Sequence, residues 1–462
     1  MHKLALAQLH ICPRASRRNR QKQSWKILIQ SVVLFAVAAA TVVAQGTSTG
    51  PAEAADNGLR GIPVTLAGQF FDHDFVNYSL FANAIYDTSL TTLQGNQTVN
   101  GGGFGYSVGG GVTASHQTRT SDLSLSYRGD YRHYGSSGYG SGTDQNLALS
   151  YSQRLTRRWG MSTNVGAGIL FYGGGFYSIA PSAASTVVTN PFSPQTRFFN
   201  AGLNFSYQQT RRLSYVFGGQ FFSSNYNYAG AINSVGGSGI ASIVYQLTGK
   251  TSVSGSYSHS YYHYGHDAGN STLDGGSFTL SHEFAAHWQA SLTAGLMRSH
   301  AAGIITIPVS VIIGQQPIVG YVTGPYDQVS LVPSFQGSVT HYQRRSAFSV
   351  SVGQGVQPGN GVYLTSRSQF LNGTYSYSMR RSNVSVGYSY FHLTSIANSV
   401  SQGYSTGNFS GSYSYVVRRH LSANFRYDLI SYGDFGGYGG FVTHRLTFGV
   451  AYSSESIPMT LF

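Results

Sequence analysis

The segment SHSYYHYGHDAGN at 258–270 gathers His259, His263, His266 and Asp267, and His282 and Glu283 follow in the next extended stretch. Imidazole nitrogens and carboxylates are the usual ligands of zinc. On a strand His259 and His263 share a face, while His266 falls in the loop beyond. The same residues also read as the polar aromatics of an interfacial girdle, each with an apolar body and a wet tip. That second reading needs no ligands to converge from separate strands, so no metal or other cofactor is expected.

Arg128, Asp130 and Arg132 recur at every second residue, as do Arg426 and Asp428. Period-two spacing puts each set on one strand face. On the inner wall of a pore, opposed charges bias ion passage; the same charges can equally pair and brace the wall. These five are the pore-lining candidates. The glycine run GGGFGYSVGGG at 101–111 lacks the following helix and lysine that a phosphate loop requires, and reads instead as strand curvature. No Ser/His/Asp set or carboxylate pair can be argued to meet in space, so no enzyme is expected.

The elements that would carry these residues are strands. Leu421, Ala423, Phe425, Tyr427 and Leu429 alternate with Ser422, Asn424, Arg426 and Asp428. Leu371, Gly373, Tyr375, Tyr377 and Met379 alternate likewise with Asn372, Thr374, Ser376 and Ser378, and Leu446, Phe448, Val450 and Tyr452 with Thr447, Gly449 and Ala451. Such runs extend over roughly 10–13 residues, longer than the 5–6 of an ordinary strand and long enough to cross a bilayer at a tilt. Charged residues make up only 9% of the chain. A water-facing surface so poor in charge is poorly soluble, whereas a barrel sends one face to lipid and the other to its lumen.

Short breaks, often an arginine pair, fall near 119, 156–158, 211–212, 249–250, 285–286, 344–345, 380–381 and 418–419. Eight such turns separate nine hairpins. The fold expected is all-β: a transmembrane antiparallel up-and-down β-barrel of about 18 strands (alternative 16), beginning near Phe75 and ending near Tyr452. The arginine pairs read either as snorkelling toward lipid phosphates or as tolerated turn residues. Two intervals are longer. The loop at 303–324 is apolar, with a hairpin expected around GQQP, and Ile304, Ile305, Pro308, Ile312 and Pro317 are constriction candidates if it folds inward. The loop at 173–197 is the second candidate.

Residues 1–44 hold seven Lys/Arg, no acid, and then the apolar run ILIQSVVLFAVAAATVV at 27–43. This is the pattern of a secretory signal, with cleavage expected after Ala44. Residues 45–70 read as a periplasmic tail, 71–453 as the barrel and 454–462 as a C-terminal tail, since Pro458 interrupts the approach to Phe462. The single cysteine, Cys12, lies in the signal, so the exported chain has no thiol chemistry. Without the signal the net positive charge is too mild to argue for nucleic acid.

Strands such as FVNYSLFANAIYD at 75–87 and SLSYRGDYRHY at 124–134, the signal through Ala44 and the arginine turns together resemble bacterial outer-membrane β-barrels of the porin type. The resemblance is one of pattern across about residues 70–453. It implies an outer-membrane, Gram-negative-type location and transport by passive diffusion of small hydrophilic solutes. Implied partners are outer-membrane lipids and the barrel assembly machinery. Because some porin-like barrels accompany exopolysaccharide export, the alternative is a structural or export-associated barrel without general pore activity.

Overall fold

The computed structural model describes residues 75–94, 97–135, 141–171, 195–227, 232–265, 268–285, 287–313, 316–358, 365–396, 403–433, 441–454 and 457–458. For 89–94, 97–101, 305–313, 316–323 and a few strand-end residues it describes the backbone alone. The expected signal, the N-terminal tail and most of the 173–197 loop lie outside the described residues.

The first nine strands are β1 (Phe75–Gln94), β2 (Gln97–Gln117), β3 (Ser121–Tyr134), β4 (Ser141–Arg154), β5 (Trp159–Phe171), β6 (Gln195–Gln208), β7 (Leu213–Tyr226), β8 (Ser234–Thr248) and β9 (Thr251–Tyr264). The second nine are β10 (Gly269–Ala285), β11 (Trp288–Ile313), β12 (Gln316–Tyr342), β13 (Ser346–Pro358), β14 (Thr365–Ser378), β15 (Ser382–Ser395), β16 (Gly403–Arg418), β17 (Leu421–Tyr432) and β18 (Phe441–Ser453). Each pairs antiparallel with its neighbours in sequence, and β1 pairs with both β2 and β18. The sheet is therefore a closed barrel of 18 strands. Closure removes the unpaired edges that a bilayer would not tolerate.

All eight expected breaks are turns between strands, and the first and last strands lie where alternation placed them. Most strands are longer than the expected 10–13 residues, reaching 27 in β12, while β5, β13, β17 and β18 stay within it. The alternation of side chains fades beyond the apolar band, but backbone pairing continues. Past Ser453 the chain is not wholly a tail: Ile457 and Pro458 pair with Val76 and Phe75 and lengthen the closing seam.

The faces separate as the alternation requires. Phe448 is 61% exposed and Leu446 41%, and Phe425, Tyr413, Tyr375 and Tyr127 likewise point outward. Directly opposed hydroxyls bond across the inner face: Ser124 with Ser150 at 2.6 Å, Ser256 with Ser277 at 2.7 Å, Ser349 with Thr374 at 2.7 Å and Ser385 with Ser412 at 2.6 Å. Cross-strand pairs of this kind are the unit of sheet stability. Here they also satisfy small polar groups that would otherwise compete for water.

Threonine, rather than arginine, shapes several of the short turns. The Thr156 hydroxyl accepts the backbone N–H of Arg158 and Trp159, and Thr210 does the same for Arg212 and Leu213. Thr118 repeats the arrangement with Thr120 and Ser121. Such side-chain caps hold the loop backbone locally, leaving Arg157, Arg158, Arg211 and Arg212 exposed.

Candidate functional site

The five charged candidates all lie on the inward-facing side. Asp130 and Arg132 are on β3, with Arg128 two residues below, and Arg426 and Asp428 are on β17. These strands belong to one arc of wall, β17–β18–β1–β2–β3–β4, because β18 closes on β1. The arc also brings in Asp87, Asp144 and Arg445, which sequence reasoning had not singled out.

Seven of the eight residues form charge pairs, and Arg128 stands apart on an aromatic ring. Arg445 donates through Nε to Asp87 Oδ1 at 2.7 Å, and both side chains are nearly sealed, 9% and 0% exposed. Across the ladder Arg445 faces Asp428, which accepts Arg426 Nε on both carboxylate oxygens at 2.9 Å. On the other flank Asp130 and Asp144 stand directly opposite each other. Like charges so placed repel, and Arg132 sits between them, 3.1 Å from Asp144 and 3.7 Å from Asp130. Arg128 lies over the Phe81 ring at 4.7 Å, a cation–π contact. With four arginines and four aspartates the arc balances its charge.

The glycine run of β2 makes room for this arc. A Cβ at Gly109 would fall 2.6 Å from both the Asp130 Cβ and the Phe81 ring. A Cβ at Gly105 would fall 2.7 Å from the Tyr134 ring. The glycines thus let Phe81, Asp130 and Tyr134 lie flat against the β2 backbone, a tighter requirement than the curvature expected of them.

A second inward feature was not legible in the sequence. The Thr365 hydroxyl donates to Ser271 Oγ at 2.9 Å, and Tyr264 and Thr365 hydroxyls lie 3.3 Å apart. Tyr264 is on β9, Ser271 on β10 and Thr365 at the start of β14. Their contact folds the long-loop end of β13–β14 inward and back onto the inner face of β9–β10, four strands round the ring. Phe222, Tyr262, Tyr264 and Leu273 form a buried cluster there, against which Val356 and Met297 pack.

The expected hairpin at 303–324 does form, as an unbroken continuation of the β11–β12 ladder from Trp288↔His341 to Ile313↔Gln316. Ile304 faces outward. Ile305, Pro308, Ile312 and Pro317 have described backbone on this ribbon, and their side chains lie outside the described residues. The histidines point outward too. His259 Nδ1 lies 2.7 Å from Asp274 Oδ1, and His263 Nδ1 lies 2.7 Å from Asn270 Oδ1. His282 contacts Thr251 at the short-turn end of β10, far along the strand from His259. His266 and Asp267 lie outside the described residues.

No family model matches the chain, and no curated protein does. Solved structures that it resembles include a BenF-like porin from Pseudomonas fluorescens Pf-5, at 10% identity over 84% of this chain and 100% of that one, with a TM-score of 0.42. Others are OccAB4 of Acinetobacter baumannii, at 11% identity over 83% and 99% with a TM-score of 0.37, and OpdK of Pseudomonas aeruginosa, at 10% identity over 82% and 99% with a TM-score of 0.40. Likeness this distant carries no argument about function; the closed ladder establishes the barrel by itself.

Proposed function

We propose that this chain is a non-enzymatic outer-membrane channel through which small hydrophilic solutes diffuse passively. The observation that carries the reading is the sorting of faces around a closed 18-strand ring, with large apolar side chains exposed outside and hydroxyls and balanced ion pairs enclosed. A barrel of 16–18 strands has room for an aqueous path unless something blocks it. The arc of four arginines and four aspartates is the selectivity element: charge-balanced, it favours neutral or zwitterionic solutes over strongly charged ones. Purified protein added to a planar bilayer is expected to give discrete ohmic conductance steps with weak ion selectivity.

One observation favours a second reading, a structural or export-associated barrel without general pore activity. The β13–β14 end folds inward onto β9–β10 at Tyr264 and Ser271 and so occupies part of the lumen there. Stably folded, membrane-inserted protein that never conducts would establish this second reading and exclude the first.

A further inference from the structure

The seam between β12 and β13 is short. It holds eight register pairs, from Tyr342↔Ala347 to Phe335↔Gln354. The strands continue, but each with its other neighbour: β11–β12 runs the full 26 residues of β11, and β13–β14 the full 13 residues of β13. Seven steps of about 3.3 Å at a tilt near 40° put the split about 18 Å above the short turn, inside an apolar band about 25 Å tall.

Specific residues make this parting. Within a strand a residue's N–H and C=O point to the same side. The Pro333 carbonyl accepts the Gln354 side-chain amide at 3.0 Å, so it faces β13. The N–H that proline lacks is therefore one that β13 would have used. Gln354 in turn accepts the Gln369 amide at 2.8 Å, closing the foot of the split with side chains. Above it, the Thr365–Ser271 bond draws β13–β14 inward, away from β12.

The unpaired edges lie between two apolar regions, one exposed outside and one packed inside. Outside lie Leu331, 67% exposed, with Val329 and Phe335. Inside lies the Phe222, Tyr262, Tyr264 and Leu273 cluster with Val356. Beside that cluster Ser299 and Ser366 bury hydroxyls that lack a hydrogen-bond partner among the described residues. We propose that this split is a lateral slot through which an amphipathic molecule, a single apolar tail with a small polar head, passes between the surrounding lipid and the lumen. The tail follows the apolar surfaces and the head meets the inner hydroxyls. The inference rests on the membrane placement of the barrel and is independent of ion conduction.

The test uses a Cys12→Ser background with Ser334→Cys and Gly355→Cys, the next pair if the seam were zipped. Protein in lipid nanodiscs is exposed to a long-chain fatty acid carrying a tail diazirine, illuminated and mapped by mass spectrometry. Adducts are expected on Leu273, Tyr262 or Met297, falling at least fivefold when the cysteines are oxidised, or bridged by a bis-maleimide, and returning on reduction of the disulfide. Pro333→Thr with Gln354→Thr, which lets the ladder extend without any cross-link, should cause the same fall. Ion conductance recorded in parallel should not fall, since a zipped seam draws the β13–β14 end toward β12 and out of the lumen. Inner adducts indifferent to both closures, or adducts confined to Leu331, Val329 and Phe335, would overturn the proposal.

Discussion

Asp87 and Arg445 are separated by 358 positions in the chain yet directly opposed in the barrel. Removing one member of a buried pair strands the other charge, at about 3–5 kcal/mol. Asp87→Ala should therefore lower the unfolding free energy of the lipid-inserted barrel, read from a urea titration, by that margin, and Asp87→Ala with Arg445→Ala should recover much of it; an additive double variant would show that the pair is not coupled. Arg128 has a different role, since its guanidinium rests on Phe81. Arg128→Ala leaves the arc one positive charge short, so the reversal potential in a salt gradient should shift toward cation preference; a shift toward anions would remove Arg128 from the selectivity element. The period-two spacing of Arg128, Asp130 and Arg132 was readable from sequence, and so was their inward face. Their partners were not, because Asp144 and Arg445 become neighbours only through strand pairing, and Arg445 also needs the ring to close. Asp87 sat at the end of an already recognised strand, and its parity with Asn77, Ser79 and Asn83 marked it as inward.

At the scale of elements, seven of the eight short turns were legible because arginine, glycine or lysine interrupts the alternation; the eighth is Ala285-Ala286. The mechanism of the turns was not legible, since the arginine pairs drew attention away from the threonine before them. Thr156→Ala or Thr210→Ala removes a local cap and should cost about 1 kcal/mol. Arg157→Ala or Arg211→Ala, at exposed positions, should stay within about 0.5 kcal/mol. Equal effects of the two kinds of substitution in the same urea titration would count against the threonine account. The in-folded end of β13–β14 left no sequence signal: Thr365, Ser271 and Tyr264 are ordinary residues for a strand and become a latch only when β14 folds back onto β9–β10. Thr365→Val with Ser271→Ala should free that end and raise single-channel conductance; a lower or unchanged conductance would show that the latch does not narrow the path. The apolar 303–324 segment was read correctly as a hairpin, but its ladder grows from β11 and β12 with no break that would set it apart as a loop.

At the scale of the whole molecule, strand number follows from counting turns, while closure follows from a relation between the two ends that no local pattern displays. Ser79↔Ser453 to Asp87↔Arg445 supply that relation, and Ile457–Pro458 extend it. The pattern of exposure then follows from the bilayer: in water, an outer surface carrying Phe448, Leu446, Val450 and Phe425 at about half exposure would drive association. The most direct test of this sorting is a nitroxide scan along β17 in lipid bilayers. One label at a time replaces residues 421–429, and collision with oxygen, which partitions into lipid, is compared with collision with a water-soluble nickel chelate. Labels at 421, 423, 425, 427 and 429 should collide mainly with oxygen, and those at 422, 424, 426 and 428 with the chelate or with neither. A reversed alternation, or water-like accessibility at Phe425 and Tyr427, would contradict the barrel as a membrane-spanning object.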